Sequence, residues 1–181
     1  ILKELDQGVN TPGFKGHISD VGGPSANMYN MRGMDLKICD TCKRPSCIHP
    51  AICKNLNTDH TALLNLYDKV AQHLAVKRMT IGSGIRYDML LDATKEHPSH
   101  KKYLSEVILK YTSGRLKVAP ENTSDEVLKL MRKPSFRSFV LLKKFFDELN
   151  RKHGLKQQLI PYLISAHPGT RVIDMAELAA I

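Results

Sequence analysis

Four cysteines, Cys39, Cys42, Cys47 and Cys53, fall within fifteen residues with the spacing C-x2-C-x4-C-x5-C, and the chain has no others. Cysteines that merely fill a core are scattered, whereas a cluster on a loop broken by Pro45 and Pro50 is suited to holding a soft metal. Four thiolates bind zinc tetrahedrally, or hold an iron–sulfur cluster. The spacing matches neither the paired C-x2-C of a zinc ribbon nor the common ferredoxin patterns. Zinc, an iron–sulfur cluster and reduced metal-free thiols therefore all stay open. Disulfides belong to oxidising compartments, of which the sequence gives no sign. Lys37, Lys43, Arg44 and Lys54 flank the cysteines and would offset the negative charge of such a site, and His49 offers a ring nitrogen in place of one sulfur.

A second set of polar residues stands where strand-like runs end. Asp20 with Gly22-Gly23 follows residues 14–20 (FKGHISD), and Ser83 with Arg86 follows residues 77–82 (KRMTIG). Glu121 follows residues 115–119 (RLKVA) and Pro120, and His167 with Gly169 follows residues 158–164 (QLIPYLI). Pro161 argues that the last run is an edge or bulged strand. In parallel α/β folds, ligands bind beyond the carboxyl ends of strands, so this placement points to a site.

Helical patterns lie between these runs. Thr58 or Asp59 caps a helix with Leu63, Leu66, Tyr67, Val70 and Leu74 on one face. Residues 86–91 suggest a short helix. Residues 101–111 present Leu104, Val107, Ile108 and Tyr111 together, with Gly114 as the stop. Thr123 and Glu126 read as a capping box for a helix through Leu128 and Met131, which Pro134 breaks. Residues 136–153 form the longest helix, closed by Gly154, and residues 172–180 form the last. Four βα units in sequence imply an α/β fold with parallel strands and right-handed crossovers. No G-x-G-x-x-G follows a strand and no Walker A motif is present.

The 181 residues, 42% of them hydrophobic, suffice for one domain with a real core. Without an uninterrupted apolar run of transmembrane length, no membrane span is expected. Lys3, Glu4 and Asp6 argue against a secretory signal, so a cytoplasmic location is expected. The first residues read as the middle of a helix, as in a piece of a longer protein. The net charge of +9 suits an anionic partner, RNA or an acidic protein. Aromatic residues make up only 6%, however, and the basic residues are dispersed, which does not single out nucleic acid.

The stretches SDVGGPSANMY, CKRPSCIHPAICKNLNTDHTALLNLY, IGSGIRYD, KVAPENTSDEVLKLMRKP and LIPYLISAHPGT resemble, in order, the YgiQ-type radical SAM proteins, a bacterial protein family. The resemblance runs from about residue 14 to 170. It implies a radical SAM partial (β/α)6 barrel, of which residues 1–181 supply about four βα units as one domain, with a Cys-rich insertion at about 24–57. In that superfamily a [4Fe–4S] cluster on C-x3-C-x2-C cleaves S-adenosylmethionine reductively to give a hydrogen-abstracting radical. This chain lacks C-x3-C-x2-C, so the resemblance implies the middle of a barrel, inactive in radical chemistry by itself.

The family likeness also assigns roles. Gly22-Gly23 resembles the glycine motif whose backbone meets the methionine amino group, with Pro24 where many relatives carry an acidic residue. Ser83 and Arg86 fall where relatives bind the ribose and the methionine carboxylate. Glu121 would take a ribose hydroxyl or a substrate proton, and residues 167–169 resemble the loop near the adenine. The four cysteines would hold an auxiliary cluster, or zinc pinning the long insertion. The substrate is left unspecified. The alternative function is a metal-binding module docking RNA or an acidic partner, and unpaired strand edges would favour a homo-oligomer.

Overall fold

Residues Arg115–Glu121 form the best-developed strand because Leu116, Val118 and Pro120 alternate with outward-facing neighbours and sink into the core. The computed structural model describes residues 1–23, 25–91 and 96–180. In chain order the elements are α1 (Leu2–Val9), β1 (His17–Ile18), α2 (Leu36–Asp40), α3 (Thr61–Ala71), β2 (Arg78–Met79), α4 (Asp88–Leu91), α5 (Pro98–Glu106), β3 (Arg115–Glu121), α6 (Asp125–Leu130), α7 (Phe136–Lys152), β4 (Gln158–Leu163) and α8 (Val172–Ala179). A π turn, Val107–Tyr111, continues α5.

The fold is mixed α/β with short parallel strands. Among the described residues the strands pair two by two, β1 with β2 and β3 with β4, both parallel. This differs from one continuous four-stranded sheet. The first two strands are also much shorter than the runs 14–20 and 77–82 suggested. Beyond their two paired residues, the chains continue side by side through single bonds, Thr80 N–H to Ile18 C=O (2.9 Å) and Val21 N–H to Thr80 C=O (3.2 Å). The junction between the pairs falls at the π turn, where Ile81 N–H donates to Tyr111 C=O at 2.8 Å. Pro161 lies opposite Val118, and the β3–β4 register shifts between Val118 and Glu121, so the bulge sits beside the proline.

One core joins both pairs. It takes Leu63, Tyr67 and Val70 from α3, Leu104 from α5, Val107 and Ile108 from the π turn, and Phe139, Leu142 and Phe146 from α7. Leu74 does not belong to it: α3 ends at Ala71, and Leu74 is fully exposed in the following turn. The capping box at Thr123 is also corrected. Ser124 is the N-cap of α6, and the Thr123 hydroxyl is buried without a hydrogen-bond partner among the described residues. At the end of α7, Gly154 takes φ +63, and the Asn150 carboxamide oxygen accepts from Gln157 N–H at 3.0 Å. No helix among the described residues is long and apolar enough to cross a membrane.

Candidate functional site

The carboxyl ends of β1 and β2 are locked by one carboxylate. Asp20 Oδ1 accepts from the amides of Gly82 (2.9 Å) and Ser83 (3.2 Å), and Asp20 Oδ2 accepts from the Ser83 hydroxyl. Gly22 is pressed against this lock. A Cβ there would stand 2.8 Å from Asp20 Oδ1 and 2.9 Å from Ser83 Cβ. Gly23 is different, because a Cβ on it would meet nothing within 4 Å among the described residues. Both glycines border a cavity of about 650 Å³ between α1, β1 and α3. Its wall is mainly apolar (Leu5, Ile18, Val21, Leu63, Leu66), with polar points that include Glu4, His17, Ser19, Asp20 and Ser25. Pro24 lies outside the described residues.

Arg86 does not line that cavity. It borders a smaller one of about 130 Å³ with Lys133, and Ser25 touches both. Its guanidinium fork is taken by Asp88, Nε at 2.9 Å and Nη2 at 2.6 Å, in a bidentate pair that leaves the Asp88 side chain 8% exposed. Glu121, at the end of β3, pairs with Lys133 at 2.7 Å and has φ +66. A left-handed conformation on a non-glycine residue costs energy, and such outliers gather at functional sites. Further along, Gly169 has φ +88 and lies against Leu130, in a turn closed by Thr170 N–H to His167 C=O (2.9 Å). The structure thus brings Gly22 and Ser83 together. It sets Arg86 and Lys133 around a neighbouring hollow, Arg86 paired with Asp88 and Lys133 with Glu121.

A buried network that the sequence did not announce fixes the Arg86 turn. Asn27 is fully buried; its Oδ1 accepts from Arg86 N–H (2.6 Å), and its Nδ2 donates to Arg86 C=O (3.1 Å) and His60 Nε2 (3.3 Å). His60 Nε2 therefore accepts, which places the ring proton on Nδ1, 2.8 Å from Thr58 C=O. His100 Nε2 approaches the same carbonyl at 2.9 Å. Burial, then the neighbouring His100, pushes the His60 ring down to about 4, so it is neutral at pH 7. The usable signals were the T-D-H run at residues 58–60 and H-P-S-H at residues 97–100. In the latter, Pro98 opens α5 and the His97 ring accepts from Ser99 N–H at 3.2 Å.

The four cysteines lie apart from this site. Cys39, Cys42 and Cys47 are exposed and Cys53 is half-buried. Among the described residues, no three His, Cys, Asp or Glu side chains are grouped to hold a metal.

Comparison with known proteins decides the relationship. The chain is 55% identical over 184 residues to a UPF0313 protein of Bacteroides thetaiotaomicron, and 53% identical over 184 residues to one of Porphyromonas gingivalis. All of this chain is aligned in both, against 30% and 29% of the relatives' lengths. The UPF0313 protein YgiQ of Salmonella typhimurium is 43% identical over 180 residues, 99% of this chain and 24% of that protein. Along its whole length the chain matches the UPF0313 family. It spans less than a third of these UPF0313 relatives. No family model matches it, and neither does any solved structure.

Proposed function

We propose that this UPF0313 chain forms part of the S-adenosylmethionine-binding wall of a radical SAM barrel enzyme, with the carboxyl ends of its strands facing the cofactor. The observation that carries this reading is the β1–β2 end. There, adjacent glycines border a cavity of about 650 Å³, held in shape by the Asp20–Ser83 lock. That volume is in the range of small-molecule sites, and a mainly apolar wall with polar points suits a nucleoside carrying an amino-acid tail. Gly23, with open space where a side chain would project, leaves its backbone accessible to the ligand.

The cluster of that chemistry does not fit this chain's own residues, because C-x3-C-x2-C is absent. S-adenosylmethionine, when bound, would supply the radical chemistry. The residues present here bind and orient. Asp20 holds the Gly82–Ser83 turn, and Asn27 holds the Arg86 backbone. Arg86 serves as a clamp on Asp88, since its fork is not free for a carboxylate. Glu121 and Lys133 place a compensated charge pair at the end of β3. Equilibrium dialysis of the full-length protein with labelled S-adenosylmethionine tests the reading. One bound molecule per chain is expected, and absence of saturable binding overturns it.

A further inference from the structure

The segment that carries all four cysteines is ordered without a core. Residues 28–55 include no buried residue, and Met34, Leu36 and Ile38 are 64%, 54% and 55% exposed. Fixing backbone costs on the order of 1–2 kcal/mol per residue, normally offset by apolar burial. Here no side chain is fully buried to offset it. The loop relies on hydrogen bonds: Met34 N–H to Asn55 C=O (2.7 Å), Asn57 N–H to Arg32 C=O (2.9 Å), and Arg44 Nη2 to Ala51 C=O (2.6 Å). Each contributes only about 1 kcal/mol net. An excursion of this kind needs a cross-link, and the chain's only cysteines all lie within it.

Hydrogen bonds fix the cysteines at set points of the loop, while no three sulfurs are gathered together among the described residues. Asn55 Nδ2 donates to Cys39 Sγ at 3.3 Å, and Arg44 N–H donates to Cys42 Sγ at 3.5 Å, so both sulfurs are held by N–H donors. The Cys39 sulfur lies over Gly33, where any Cβ would collide with it. Cys53, two residues from Asn55, donates its N–H to Cys47 C=O at 2.7 Å. One sulfur of the C-x2-C pair is thus anchored at the loop base beside Asn55, and the other two cysteines are joined through their backbones. Gathering the four sulfurs would move three exposed side chains and the half-buried Cys53, none of them in the core. We propose that Cys39, Cys42, Cys47 and Cys53 bind one zinc ion as a tetrathiolate that clips residues 28–55. Zinc needs only the four sulfurs, without inorganic sulfide, and closing a coreless loop is what structural zinc does. The thiol protons pass to solvent on binding, and Lys37 and Lys43 lie close in sequence to offset the site's double negative charge.

The test compares zinc, iron and sulfide content of the full-length protein with a Cys42→Ser/Cys47→Ser variant. The variant should fold, since neither side chain is buried, and its thermal midpoint checks this. The expected result is a loss of one zinc per chain with iron and sulfide unchanged. In the unaltered protein, chelating the zinc should expose four further thiols to a disulfide reagent. Equal zinc in both proteins, a loss of iron and sulfide instead, or four cysteines that react freely before chelation would each overturn the proposal.

Discussion

Gly22 and Gly23 are neighbours in sequence with opposite constraints. A methyl group on Gly22 would run into Asp20 and Ser83, whose atoms there belong to a short, hydrogen-bonded lock rather than to a flexible chain end. Gly22→Ala is therefore expected to destabilise the protein by about 1–3 kcal/mol in urea unfolding; an unchanged midpoint would show that the lock yields freely. His60 gives a pH dependence. Its ring titrates at about 4 when folded, below the ordinary 6.5. The stability it contributes is present in full above pH 6.5 and is lost as the pH falls towards 4, by up to about 3 kcal/mol. Replacing it by Phe should flatten that limb of the stability profile, whereas a limb that survives the change would assign the titration to another group. Neither Asn27 nor His60 was legible as a site residue in the sequence. Their partners are an arginine backbone and a carbonyl, and backbone groups leave no signature in residue type.

At the scale of elements, α7 was the most legible, because Pro134 and Gly154 bound it, and the structure adds Ser135 as its N-cap. Leu142 is wholly buried on that helix, and Leu142→Ala is expected to cost about 2–5 kcal/mol. Leu74→Glu, at a fully exposed position, should move the unfolding midpoint by no more than about 0.5 kcal/mol. A large effect at Leu74 would restore it to the apolar face that the sequence suggested. β3 and β4 were also readable: alternation over Leu116 and Val118, and the Pro161 irregularity, survive in the structure. β1 and β2 were over-read. Their flanking residues run parallel for only a few bonds before the chain turns into the Asp20 lock and the Ser83 turn, and polar strand ends of this kind carry no periodic pattern. The strand-end residues were found from their position in the chain, but their engagement was not. That Arg86 is spent on Asp88 depends on a local turn that a sequence pattern does not reveal.

For the molecule as a whole, one core spans both strand pairs, so the strand ends around the two hollows are held by a common scaffold. The coreless cysteine excursion leaves that scaffold near Ala26 and Asn27 and returns at Leu56, Thr58 and His60, all of them buried. Its two roots meet where Asn27 touches His60 and Arg86, so any fixing of the loop acts on the same turn that borders the smaller hollow. The proposed place of S-adenosylmethionine is the cavity beside Gly22-Gly23. The most direct measurement is the S-adenosylmethionine affinity of full-length Gly23→Val beside the unaltered protein, with thermal unfolding of both. A Cβ at Gly23 meets nothing within 4 Å among the described residues, and Gly23 borders the cavity. The expected result is an affinity at least about tenfold weaker, roughly 1.4 kcal/mol, with an unchanged thermal midpoint. Equal affinity in the two proteins, at equal stability, would contradict the placement of the cofactor at this site.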